Sequence, residues 1–156
     1  MRRTDREITD NEKISDIISS CKCIRIGFND EGQVYIVPLN YGYTVNDGKY
    51  IFYFHGAKEG RKIELIHKNP YVGFEMDKNI KIIESDTACK HSAYYSSIIG
   101  NGYVSIVDNF EEKKAGLVSI MKHNTGKAKW DFPEAAVNSC CVFKMVVEQL
   151  SCKEHG

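Results

Sequence analysis

The sequence predicts a mainly β fold, a small antiparallel barrel of six or seven strands with helices over its openings. Three observations carry that expectation. Apolar residues recur with period two through CIRIGF, QVYIVPLNYGY and KYIFYFH. The joints between these runs, NDEG and then Asn46-Asp47-Gly48, are short and made of turn residues. Helical spacing is confined to three short stretches, too few for a parallel sheet with crossover helices. At 156 residues the chain is read as one domain, 1–156, around one core.

In chain order, Thr9-Asp10-Asn11-Glu12 has the spacing of a capping box, and Ile14, Ile17 and Ile18 follow at helical intervals. A helix is expected from about Asp10 to Ser20. The next three runs read as consecutive strands of a meander, with Pro38 marking an edge, a bulge or a strand end because it has no N–H to donate. Residues 58–68 read as a helix with Ile63 and Ile66 inward, ended by Asn69-Pro70. YVGFEM and NIKIIE read as strands around Asp77-Lys78, and YYSSIIGNGYVSIV as a long strand whose glycines permit a bend or bulge. Asp108-x-x-Glu111 is placed to cap a helix running to about Lys122, its inner face formed by Leu117, Val118 and Met121. A polar, irregular stretch with the single tryptophan, Trp130, then precedes a last strand, CCVFKMVVEQL.

Apolar residues make up 42% and charged residues 27%, the balance of a soluble globular protein. Twenty-one basic residues offset 21 acidic ones, which argues against a nucleic-acid or membrane partner. No run approaches the roughly 20 apolar residues of a membrane span, and MRRTDREITDNEK lacks the apolar centre of a signal peptide, so a cytoplasmic location is expected. The six cysteines have no zinc-type spacing and read as reduced thiols, with Cys89 the one expected to be exposed. His67, His91, His123 and His155 read as surface residues, and no metal site is expected.

The stretch YFHGAKEGRKIELI poses a charge problem. Peptide dipoles make a helix start positive, so Lys58, Arg61 and Lys62 are unfavourable there unless an anion sits among them. G-x-x-x-G-R-K is one residue short of a nucleotide P-loop and lacks its Ser/Thr. Gly100-x-Gly102 leads into a strand, which excludes a dinucleotide fingerprint. What remains is a phosphate seat: open N–H groups, small residues (Gly56, Ala57, Gly60) and basic side chains. The plain alternative is a solvated helix whose lysines face water. Tyr41, Tyr43, Tyr50, Tyr53, Tyr94 and Tyr95 lie in strands, as core residues or as the walls of a planar ligand.

MRRTDREIT, VPLNYGY, YFHGAKEGRKIELI, YYSSIIGNGYVSIV and EEKKAGL together resemble the nitroimidazole-resistance proteins within the pyridoxamine 5′-phosphate oxidase-like flavoproteins, over the chain to about Lys127. The resemblance implies an FMN-binding split β-barrel, a homodimer with the cofactor in a groove between subunits. It implies phosphate contacts from His55, Arg61 and Lys62 beside Gly56 and Ala57. Ring contacts fall on Pro38, Leu39, Asn40 and Tyr41, with Ser96 and Ser97 from the later strand. His55 and Tyr41 are the candidate proton donors. His55 is equally placed to ligate haem iron, the alternative cofactor, since some split-barrel relatives bind haem. True pyridoxamine phosphate oxidases resemble one another in C-terminal arginines that hold the substrate phosphate, and this chain has none after Arg61. The resulting expectation is an FMN-dependent oxidoreductase acting on a nitroimidazole or another small electron-poor substrate. Its alternative is a haem- or flavin-binding protein that stores or senses without turnover.

Overall fold

The computed structural model describes residues 3–156, so Met1 and Arg2 of the MRRTDREIT stretch lie outside the described residues. Strands β1 (Glu7–Ile8), β2 (Ile24–Asp30), β3 (Gln33–Leu39), β4 (Gly42–Asn46), β5 (Lys49–Gly56), β6 (Tyr71–Ile83), β7 (Ser92–Ile106) and β8 (Cys141–His155) form one sheet. Helices α1 (Asn11–Ser20), α2 (Arg61–Lys68), α3 (Phe110–Thr125) and α4 (Glu134–Ser139) pack on it. The strand order is β3-β2-β6-β7-β8-β5-β4, with β1 added to β8, and every pair is antiparallel. The path ends at β3 and β4, which do not pair with each other among the described residues. The mainly β, split-barrel expectation holds, with eight strands in place of the six or seven expected because the two-residue β1 adds to β8 and QVYIVPLNYGY divides in two.

The hairpin turns form as their residues require. Glu31-Gly32 and Asp47-Gly48 both take positive φ at both central positions, the geometry that matches the strand twist. The three-strand meander does not form. QVYIVPLNYGY breaks at Asn40-Tyr41 into β3 and β4, which lie at opposite ends of the sheet, because β3 turns back on β2 whereas β4 pairs with β5. Pro38 is on edge strand β3, where its missing donor costs no ladder bond to a second neighbour. YVGFEM and NIKIIE are one strand, β6, interrupted between Lys78 and Lys81 by a bulge in which Asn79 has φ 59°. The irregularity expected in β7 appears opposite Asn101 and Gly102, where β8 carries the extra residue Glu148.

The helix caps each fall one residue later than the sequence spacing suggested. Asp10, not Thr9, accepts from the Glu12 N–H at 2.9 Å, and Asn109, not Asp108, accepts from the Glu112 N–H at 2.9 Å. α2 starts at Arg61 and leaves Lys58 in the preceding loop.

Two cores result. α1 and α2 close the barrel interior on Ile14, Ile18, Phe28, Phe52, Phe54, Phe74 and Phe143. α3 and α4 cover the outer face of the sheet instead of an opening, with Leu117, Ile120 and Val137 on Tyr53 and Val142. In α3 the buried inner residues are Leu117 and Ile120, and Val118 is only half-buried. All six cysteines are free, and Cys89 is exposed.

Candidate functional site

The expected anion seat falls where β5 hands over to α2. Phe52, Phe54 and Gly56 alternate onto the barrel interior, so the chain leaves the sheet with its smallest residue at the mouth. Gly60 is the residue before α2, with φ 116°, and no side chain caps the helix. The first N–H groups of α2 are therefore open. Lys62 leans back over this mouth, with its ammonium 5.2 Å from the centre of the Phe143 ring and 3.0 Å from where a Cβ on Gly56 would lie. It is half-buried, and none of the ion pairs among the described residues includes it. Burial lowers its pKa. A half-buried ammonium on an apolar ring beside open helix N–H groups can neutralise a phosphate-sized anion.

Arg61 is placed differently from expectation. Its Nε and Nη2 donate to one carboxylate oxygen of Asp30 at 2.9 and 2.7 Å, and its guanidinium lies 4.4 Å over the Tyr35 ring. The β2–β3 hairpin already supplies this cation with an anion, and Nη1 keeps both of its donors. Ala57 and Lys58 are exposed at the rim.

His55 points the other way. It follows Ile51 and Tyr53 onto the outer face and lines a cavity of about 220 Å³ with Leu117, Ile120, Met121, Phe132 and Cys140. The side chains of His55 and Lys62 therefore flank Gly56 on opposite faces of β5.

The expected ring contacts separate. Pro38 and Asn40 are exposed, and Leu39 packs on the core. The Asn40 amide donates to the Lys22 carbonyl at 3.0 Å. Tyr41 is fully buried; its hydroxyl donates to the Ile18 carbonyl at 2.6 Å with the Cys21 carbonyl at 3.1 Å, and burial raises its pKa far above the usual phenol range. Its assignment as a proton donor or side-chain ligand contact is corrected: it is a core residue with its proton committed. Ser96 is buried and donates to Glu154 at 3.0 Å; Ser97 pairs with Lys153. Gly56 pairs with Cys141, twelve residues further back along β8, so about 40 Å of extended strand separates the two serines from the seat.

The tyrosines separate similarly. Tyr41, Tyr43 and Tyr50 gather with Phe52, whereas Tyr94 and Tyr95 sit by His155 at the far end of β7. His67 and His91 are exposed as expected; His123 and His155 are half-buried, and His123 stacks on Tyr41 at 4.4 Å. No cluster of metal-ligating residues occurs among the described residues, nor any helix long and apolar enough to cross a membrane.

The sequence profile of the pyridoxamine 5′-phosphate oxidase family matches residues 10–154. The chain belongs to that family. A crystal structure of a candidate 5-nitroimidazole antibiotic resistance protein from Bacteroides thetaiotaomicron is 32% identical, with 95% of this chain and 86% of that one covered at a TM-score of 0.81. The FAD and haem binding protein of Mycobacterium smegmatis shares the fold at 11% identity, covering 97% of this chain and 74% of its own, with a TM-score of 0.82. An FAD-binding protein of Mesorhizobium loti aligns at 21% identity over 97% and 98% of the two chains, with a TM-score of 0.68. None of the curated proteins compared matches the chain.

Proposed function

We propose that this member of the pyridoxamine 5′-phosphate oxidase family is an FMN-dependent oxidoreductase that reduces small electron-poor substrates of the nitroimidazole kind. The carrying observation is Lys62, a half-buried ammonium with no carboxylate partner, set against Gly56 and an uncapped helix start. Those features fit the phosphate of FMN, with Lys62, the first N–H groups of α2 and the free Nη1 of Arg61 as its donors. Flavin or FAD binding named for two of the structural relatives, and nitroimidazole resistance for a third, supports the reading. Bound flavin supplies the electron transfer chemistry; this chain binds it, orients it and keeps water from it.

The ring contact expected of Ser97 bears on the assembly. Ser97 lies twelve residues along β8 from the partner of Gly56, so in this reading a second copy brings it to the cofactor. A face for that copy is present on the outer side of β3, β2, β6 and β7. Val34, Ile36, Ile99 and Tyr103 are each half or more exposed there, and Tyr71 lies 5.0 Å from Tyr103 ring to ring. On the same face Asn101 holds a buried side-chain oxygen with no partner, a group an interface would satisfy. The proposed unit is a homodimer with its flavin sites between subunits.

His55 is the remaining candidate proton donor, exposed beside an apolar cavity sized for a small ring. The haem alternative rests on the same imidazole. It ranks second because about 220 Å³ is below the roughly 300–1,000 Å³ of ordinary cofactor sites.

Purified protein should be yellow, take up one FMN per chain, and after anaerobic reduction be reoxidised by a 5-nitroimidazole. Lys62→Glu should weaken FMN at least tenfold while leaving the thermal midpoint of the flavin-free protein nearly unchanged. A protein that binds no FMN, or whose reduced flavin ignores the nitro compound, refutes the reading. A Soret band lost in His55→Ala would install the haem alternative.

A further inference from the structure

A concavity away from the β5–α2 junction plays no part in the flavin reading. It measures about 530 Å³ and falls within the usual range of small-molecule sites. The end of α1, strand β4 and the last turns of α3 enclose it. Tyr43 and Val45 supply its apolar walls.

Its polar lining is biased toward accepting hydrogen bonds. Ser19 donates its hydroxyl to the Asp16 carbonyl at 2.9 Å, and Ser119 donates to the Tyr43 carbonyl at 3.2 Å, so each oxygen has only lone pairs to offer. His123 has Nε2 2.8 Å from the Cys21 carbonyl, which can only accept and so fixes the ring proton on Nε2. Burial lowers the His123 pKa, which keeps the imidazole neutral. Nδ1 is then an acceptor without a partner among the described residues. One cation, Lys122, lines the same cavity, exposed and outside every ion pair among the described residues.

We propose that this cavity binds a planar lactam heterocycle, an oxopurine or oxopyrimidine base. The base lies on Tyr43, its ring N–H groups donate to His123 Nδ1 and the serine oxygens, and its exocyclic carbonyl accepts from Lys122. Competing chemistries fit worse. A simple carboxylate would satisfy Lys122 and face three acceptors with none of its own protons, whereas a hydrocarbon would strand both kinds of group. A lactam presents N–H and C=O side by side, the alternation this lining calls for.

Saturation-transfer NMR on the purified full chain tests the proposal, with xanthine and uracil as probes and caffeine and benzoate as controls. Caffeine keeps the xanthine carbonyls but has no ring N–H. Xanthine and uracil should saturate, and both controls should bind at least tenfold more weakly. Lys122→Ala should weaken xanthine fivefold or more, and Val45→Trp, at a position 55% exposed, should abolish its binding by filling the cavity. Absence of saturation by both bases, equal binding of caffeine, or xanthine binding that survives Val45→Trp overturns the assignment. So does displacement of xanthine by FMN, which would make the cavity the seat of the flavin's own dioxopyrimidine ring. The measurement reads the base alone, so a protein that takes up no flavin and still binds xanthine upholds this site while refuting the flavin proposal.

Discussion

Two aromatic side chains stacked at 4.4 Å, Tyr41 and His123, fix the point where the chain crosses from β3 to β4. The Tyr41 hydroxyl closes the C-terminal end of α1 by donating to Ile18, and His123 donates to Cys21 just beyond it. Tyr41→Phe should therefore cost about 1–2 kcal/mol in the denaturant midpoint and leave FMN affinity intact. His123 is held neutral by burial, aided by the nearby charge of Lys22. Its folded pKa lies below its unfolded one, so the unfolded chain binds the extra proton first as pH falls. Stability should be full above about pH 6.5, the ordinary imidazole value, and decline as pH drops below it; His123→Phe should flatten that part of a pH series of urea melts. Residue chemistry was legible in the sequence where it depends on near neighbours: Gly60 before Arg61 and Lys62 marks a helix start that carries cations wherever the strand lies. It was illegible where a distant residue decides. Nothing local to Arg61 announces that Asp30, on another hairpin, already neutralises it.

Elements show the same division. NDEG and NDG encode their turns within four residues, so both hairpins were readable. The apolar alternation of QVYIVPLNYGY is uninterrupted, so the break at Asn40-Tyr41 could not be read; it arises because each half pairs with a different neighbour across the sheet. α3 holds one of those halves very closely. A Cβ on Gly42 would lie 2.3 Å from the backbone nitrogen of Ile120 and from the Ser119 carbonyl carbon, both immovable helix backbone. Gly42→Ala should lower stability by about 3 kcal/mol, seen as a large drop in thermal midpoint, because neither β4 nor α3 can yield without moving the other. The caps shifted by one residue for a related reason: Thr9 and Asp108 have the right spacing, but the following Asp10 and Asn109 also have capping side chains, and the helix packing selects the register.

At the scale of the whole molecule, an apolar outer face and the distance between Ser97 and Gly56 carry the proposal of a dimer. If two copies share each flavin, Ile36→Glu with Tyr103→Arg should turn the dimer into a monomer in light scattering and weaken FMN at least tenfold, although neither side chain lies at the seat. A monomer that keeps full FMN affinity would separate the assembly from the cofactor. A small barrel was legible from strand count and hairpin length, and its split form from the family resemblance. The identity of the covered and uncovered faces was not, since Tyr103 and Tyr53 look alike in sequence and only the sheet order puts α3 over one of them.

β8 is the one strand joining β7 to β5, and it is translated after all the others. A nascent chain emerging from the ribosome therefore holds two unconnected parts of the sheet until β8 appears. A fragment ending at residue 139 should be protease-sensitive throughout, and addition of a peptide covering 140–156 should restore protection to both ends of the sheet at once.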